Sequence, residues 1–414
     1  MLRFKTPRCT RPSQTSLLAA ALLSVLLLLA APLAGAQAAP APKPPAPAFT
    51  MPPPTPNDTL KSPEVQADGT VLFRLYAPAA KDVKLQAEGL ESTPGMTQEQ
   101  ASKNYAGAAL TRAEDGVWSI AFGPIWPGVY RYVFLADGVR VMDPKNPLAS
   151  QSLNSGWSMY EVPGAKFLEY NRDTPHGAIA SVWYDSAATG GLRRMHVYTP
   201  PGYEKGSAKY PVLYLLHGAM DTDDSWGTVG RAGAILDNLI AAHEAVPMIV
   251  VMPAGHMTRE FQMRLGPTTM GHDSFTKDLI ESVLPSIDGR YRTITDRDHR
   301  AIAGLSMGGI QALDISLENS GLFAYVGLFS SGWFPQVREN EEATDLAQYK
   351  ASGKPFKVFW MAAGKLDMAN ASSKVTAEML KKAGIQAEQH ESEGFHAWNN
   401  WRDYLHTFAP LLFR

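Results

Sequence analysis

Cysteine is almost missing from this chain of 414 residues; the one copy is Cys9. From residue 39 onward there is none, so disulfides cannot staple the fold and metal–thiolate sites are excluded. Charge is sparse as well, at 19 % of residues. The first 38 positions hold no acidic residue, although they carry four basic ones, Arg3, Lys5, Arg8 and Arg11. The remainder therefore has 34 Lys and Arg against 40 Asp and Glu, a net charge near −6. No basic stripe survives in it, which argues against nucleic acid as a partner.

Four parts follow from composition and pattern. Residues 1–38 read as a secretory signal peptide, with a basic start, an apolar core from Leu17 to Ala30, and cleavage near Ala36 or Ala38. The core is too short and wrongly flanked for a stable membrane span. Cys9 precedes it and so cannot carry a lipid afterwards. A secreted or periplasmic protein with no integral membrane span after cleavage is expected. Residues 39–57 form a proline-rich linker, which favours extended chain and cannot build a core.

Residues 58–165 are expected to be all-β. Thr70–Tyr76, Asp82–Ala87 and Gly116–Phe122 alternate in polarity; Pro127-Gly128 and Asp137-Gly138 mark turns around Val129–Phe134. These signals point to an immunoglobulin-like sandwich, with Trp118, Tyr130 and Tyr132 read as core before sugar platform. From 175 to 414 strands alternate with helices, the pattern of a mainly parallel sheet covered by helices.

The chemistry centres on Arg300–Gly309. An apolar run ends in Gly304-Leu305-Ser306-Met307-Gly308, and a helix-compatible stretch follows. A tight strand-to-helix turn of this kind lifts a serine above the sheet at a helix N-terminus, where developing negative charge is favoured. Ser306 is the expected nucleophile. Its base should lie in a loop after the last strand, and His396 in Glu393-Gly394-Phe395-His396 fits better than His390, on a strand-like segment, or His406, in the terminal helix. Asp367, at the exit of the apolar run Phe356–Ala363, stands 61 residues after Ser306 and 29 before His396. It would fix the imidazole tautomer. Glu391 and Glu393 are too close to His396 in sequence to come from a separate strand end. Pro211–Ala219 runs an apolar strand into His217-Gly218-Ala219, so the amides of Ala219 and Met307 are the expected oxyanion donors, with His217 structural. No cofactor is required.

Together with Arg194–Tyr203, the strand Met248–Pro253 and Trp226, these motifs resemble carbohydrate esterase family 1, of α/β-hydrolase fold, which includes feruloyl and acetylxylan esterases, with enterochelin esterases nearby. The resemblance covers the C-terminal domain and implies the triad Ser306, Asp367 and His396. The segments around Tyr76-Ala77-Pro78, Gly116-Val117-Trp118 and Asp143–Pro147 resemble early-set domains related to carbohydrate-binding module family 48. That resemblance implies a module presenting polysaccharide to the cleft; the alternative is a sandwich that packs over the esterase domain and completes it.

A feruloyl or related hydroxycinnamoyl ester of plant cell-wall polysaccharide is the leading substrate. Acetylxylan, a siderophore ester, or glycan binding without turnover are the alternatives. Trp226, Phe261, Trp333 and Trp398 are candidates to line an aromatic acyl pocket. Arg259 and Arg264 are too ordinary a pair to argue for an anionic iron complex. A small ester remains possible as substrate, and the sequence leaves the oligomeric state open.

Overall fold

In a computed structural model, the residues described are 51–90, 99–100, 106–257, 274–334, 338–352 and 354–414. The expected signal peptide, most of the linker, Phe261, Arg259 and Arg264 lie outside them. Pro54–Arg414 is one compact unit. Among the described residues no helix is long and apolar enough to cross a membrane.

Two sheets of antiparallel strands form its first part. One has β1 (Glu64–Val65), β2 (Val71–Tyr76), β5 (Thr111–Arg112) and β6 (Val117–Phe122), in the order β1-β2-β6-β5. The other has β3 (Val83–Ala87), β4 (Ala108–Ala109), β7 (Gly128–Ala136), β8 (Val139–Val141), β9 (Ala149–Gln151) and β10 (Gly156–Val162). Its order is β4-β3-β7-β10-β9, with β8 paired to β7. Period-two burial in β2 and β3 turns Val71, Phe73, Leu75, Val83 and Leu85 into a common core. Phe73 packs on Tyr132 and Tyr160 at centroid distances of 4.9 and 5.2 Å. Trp118, Tyr130 and Tyr132 are buried in this core, which leaves none of them as an open sugar platform.

The second part is an eight-stranded sheet: β11 (Ala178–Ser186), β12 (Gly191–Thr199), β13 (Val212–Leu216), β14 (Ile249–Pro253), β15 (Arg300–Leu305), β16 (Tyr325–Phe329), β17 (Val358–Gly364) and β18 (Ala387–Ser392). The order is β11-β12-β14-β13-β15-β16-β17-β18. β12 runs opposite to the other strands, antiparallel to both β11 and β14; from β14 through β13 to β18 every pairing is parallel. Strands β13 to β16 are buried at every residue, as a parallel sheet covered on both faces requires. Alternate residues feed two cores: Tyr214, Ile302 and Val326 on one face, and Leu213, Leu215, Ala303 and Phe329 on the other.

Two structural details position the site. First, β13 is followed in sequence by β14 on one side of it and by β15 on the other. The chain exits from β13 and β15 therefore diverge at a switch point, where open α/β sheets form their ligand crevice. Second, the core that holds Trp226, Trp398 and Phe408 also contains Val129 of β7 and Met159 of β10. The two parts share buried apolar side chains.

Candidate active site

β15 ends at Leu305, and the helix Met307–Glu318 begins two residues later. Ser306, between them, has φ 50° and ψ −116°, a conformation that L-residues adopt only when their surroundings enforce it. The enforcement is visible. A Cβ on Gly304 would lie 2.3 Å from the Gly308 carbonyl oxygen, and one on Gly308 would lie 2.5 Å from that of His217. The Ser306 amide donates to Phe329 O at 2.9 Å, and Ser331 Oγ donates to Ser306 O at 2.9 Å. Gly309 and Ile310 direct their amides to the same oxygen, at 3.0 and 3.1 Å. Met307, at the first helical position, has no acceptor within its own helix.

The turn after β13 lies against this elbow. A Cβ on Gly218 would meet Leu305 Cδ1 at 2.5 Å and come within 3.6 Å of Ser306 Cβ. Asp221 donates its amide to Gly218 O at 3.1 Å, closing a turn with Ala219 and Met220 at its tip. His217 is fully enclosed: Nδ1 lies 2.8 Å from Gly218 O, and Nε2 accepts from the Gly255 amide at 2.8 Å. That acceptor role requires the neutral ring with the proton on Nδ1. Burial pushes its pKa down, in the same sense.

Asp367 leaves β17 in a turn closed by its own amide to Gly364 O, at 3.1 Å. Its side chain is buried; Oδ1 accepts from the Ala369 amide at 2.7 Å and lies 2.9 Å from His396 Nδ1. Burial by itself would raise the carboxyl pKa, but hydrogen bonds from His396, Ser330 and the Ala369 amide outweigh it and hold the group below the usual carboxylate value. His396 is partly open, with 22 % of its side chain exposed. Its ring meets Trp401 edge-on at 5.1 Å, and Trp401 donates Nε1–H to Ser330 Oγ at 2.9 Å. Ser330 and Ser331 thus tie the elbow to the Asp367–His396 pair. The loop carrying His396 is pinned by Leu366 N to Gly394 O at 3.0 Å and Asn400 Nδ2 to Glu393 O at 2.7 Å.

The rival residues face elsewhere. His390 stacks on Trp360, and His406 packs on Phe167. Glu391 pairs with Lys374, and the exposed Glu393 pairs with Lys365. The aromatic acyl pocket needs correction: Trp226, Trp333 and Trp398 are core residues, 1 %, 0 % and 3 % exposed. Trp226 donates to Leu216 O and Trp333 to Asp314 Oδ1, each at 3.0 Å, so their polar edges are already used inside the fold. Among the described residues, exposed apolar side chains next in sequence to the proposed site residues are Met220, beside Ala219, and Leu366 and Met368, which flank Asp367. Nothing local in the sequence singles out these three, nor Ser330 or Trp401. Among the described residues no group of His, Cys, Asp and Glu is arranged to hold a metal ion.

A strained serine at a helix N-terminus, a tight turn packed against it and a carboxylate-held imidazole are among the parts needed for acyl transfer. The fold and these parts define an esterase of the α/β-hydrolase kind. Residues 186–411 match the Esterase family model, and the chain belongs to that family. It is 35 % identical over 363 residues to an endo-1,4-beta-xylanase/feruloyl esterase of Xylanibacter ruminicola, covering 85 % of this chain and 46 % of that protein. The chain thus spans about half, or less, of the length of the curated relatives it matches. Among solved structures it is similar to a ferulic acid esterase of Anaeromyces mucronatus in complex with ferulic acid, with TM-score 0.53, 26 % identity, and coverage of 61 % of this chain and 96 % of that one. The enterobactin esterase of Shigella flexneri matches with TM-score 0.58 and 18 % identity, over 82 % of this chain and 92 % of that one, a likeness of fold alone.

Proposed function

We propose that the protein is a secreted serine carboxylic-ester hydrolase that releases feruloyl or related hydroxycinnamoyl groups from plant cell-wall polysaccharide. The observation that carries the chemical part is the Asp367–His396 pair at 2.9 Å, linked through Ser330 and Ser331 to the strained Ser306. Ser306 Oγ attacks the ester carbonyl while His396 Nε2 takes its proton and then delivers it to the departing alcohol. Asp367 keeps the other ring nitrogen protonated and supports the transient imidazolium. The amides of Ala219 and Met307 receive the oxyanion, and water, activated by His396, releases the acid from the acyl-enzyme. Support for the acyl group comes from the 35 % identical relative, whose name includes feruloyl esterase. Exposed Met220, Leu366 and Met368 offer apolar contact to an aromatic acid next to these groups.

A substrate panel tests both parts: methyl ferulate, acetylated xylan, a catecholate trilactone and a short p-nitrophenyl ester, each with wild type and Ser306→Ala. Ferulate should be released with the highest kcat/KM, and the alanine variant should lose nearly all turnover on every substrate. Faster release of acetate or of the catecholate product would replace the substrate assignment. An active Ser306→Ala protein would remove the nucleophile.

A further inference from the structure

We propose that Arg131, in the β-sheet part of the chain and 90 residues before its partner in sequence, is a positioning residue for the oxyanion turn. Arg131 lies on β7 and is 6 % exposed. Its Nη1 donates to Asp221 Oδ1 at 2.8 Å, its Nε donates to Glu88 Oε1 at 2.9 Å, and its Nη2 lies 2.7 Å from the same Glu88 oxygen. The guanidinium also lies near the faces of Trp157 and Trp398, at 5.7 and 5.8 Å from their ring centroids. Asp221, itself 3 % exposed, is the residue whose amide closes the turn around Ala219, and its Oδ2 would stand 3.1 Å from a Cβ on Gly218.

One guanidinium therefore fixes the carboxylate whose backbone sets the direction of the Ala219 amide. His217 clamps the start of the same turn through Gly218 O, and Leu153, between β9 and β10, donates its amide to Met220 O at 3.1 Å. An amide aimed at an oxyanion acts through orientation, and a small rotation wastes it. A planar, always-charged fork held by two carboxylates is suited to preventing that rotation. A structural tie alone would affect only stability. A positioning role affects kcat with KM held, because the oxyanion exists only in the transition state.

The proposal rests on the acyl-enzyme reading above, and Ser306→Ala separates the two. Kinetics of p-nitrophenyl ester hydrolysis are measured for Arg131→Met, Arg131→Lys, Asp221→Asn and Glu161→Gln, well below each melting temperature. Glu161 of β10 pairs with Arg231 at 2.6 Å, further along the chain segment that follows the turn, and serves as the control contact between the same two parts. Arg131→Met and Asp221→Asn should each lower kcat about tenfold to a hundredfold, short of the ~10²–10³ of deleting a donor outright. KM should stay within about twofold, and Arg131→Lys should recover part of the loss. Glu161→Gln should lower only the melting temperature. Wild-type kcat in Asp221→Asn, or an equal kcat loss in Glu161→Gln, would overturn the proposal while Ser306→Ala remains dead. If Arg131→Met does not fold, Asp221→Asn, which keeps the arginine and its Glu88 partner, decides alone. Turnover by Ser306→Ala would instead overturn the acyl-enzyme reading.

Discussion

The two parts of Pro54–Arg414 are built on opposite patterns. In the first, β2 and β3 alternate between buried and partly exposed side chains, and the buried face is crowded with aromatic rings around Phe73 and Tyr132. In the second, β13 to β16 are buried throughout and, apart from Arg300 at the start of β15, lack charge, and the proposed site residues stand where strands end, at His217, Ser306 and Asp367. The comparison teaches that catalytic groups need chain ends, because a doubly covered parallel strand has no wet face on which to carry them. The first part supplies none of the proposed acid, base or nucleophile. It supplies instead side chains that hold the turn after β13 and the segment that follows: Arg131 on Asp221, Glu161 on Arg231, and Ser150 on Thr228.

Removing residues 54–165 is the most drastic way to break that arrangement. It strips Val129 and Met159 from the core around Trp226, and takes Arg131 from Asp221 and the Val129 carbonyl from Arg402. The expected result is insoluble protein, or loss of kcat/KM on methyl ferulate as large as on a feruloylated oligosaccharide. A soluble truncation that loses only the oligosaccharide activity would restore the presenting module that the early-set resemblance implies.

The next largest effect lies wholly in the second part. Asp367→Asn should lower kcat by up to ~10⁴ with little change in stability, by the logic of the serine-protease triad. A crippling Glu393→Gln beside a nearly harmless Asp367→Asn would transfer the acid role to the other carboxyl group.

Arg402 sharpens the comparison from the opposite direction. It is 1 % exposed and donates Nη1 to Val129 O of β7 at 2.7 Å and to Val229 O at 3.0 Å. Arg402→Met strands two buried carbonyls and should cost about 2–4 kcal/mol in urea unfolding. Below the melting point it should leave kcat close to wild type. A large kcat change would mean that this contact, too, reaches the site.

The smallest effect is in acid. Burial lowers the folded-state pKa of His217 below its ordinary 6.5, so the unfolded chain binds the extra proton first. Stability is complete above about pH 6.5 and falls as pH drops below it, by at most about 1.4 kcal/mol per pH unit for one such group. Melting temperatures from pH 7.5 to 5 should decline in the wild type and decline less in His217→Asn. Parallel profiles would mean that the ring is not the titrating group.

How far the sequence could be read follows from the range of each signal. The elbow is legible because its constraint is local: Gly304 and Gly308 are required within two residues of Ser306 by contacts as short as 2.3 Å. Asp367 is marked by the apolar run that ends before it, and His396 by its glycine-containing loop after an alternating segment. The misplacement of Trp226, Trp333 and Trp398 came from a property with no local marker. A tryptophan near a strand end packs inward or lines a crevice according to which backbone or side-chain oxygen meets its indole nitrogen. Leu216 O and Asp314 decided two of these cases. Arg131 lies on β7 and Asp221 in the turn after β13, and they share no motif, so only the folded chain brings them together.

The shared core has a consequence for inheritance. A boundary near residue 165 is visible as a change of pattern, yet it is not a place where the chain can be cut and rejoined freely. Recombination there would pair a foreign β-sheet part with Trp226, Trp398 and Asp221, and all three would have to be refitted at once. Descendants are therefore expected to carry both halves together, and substrate range should drift through exposed Met220, Leu366 and Met368, which can change without disturbing the joint.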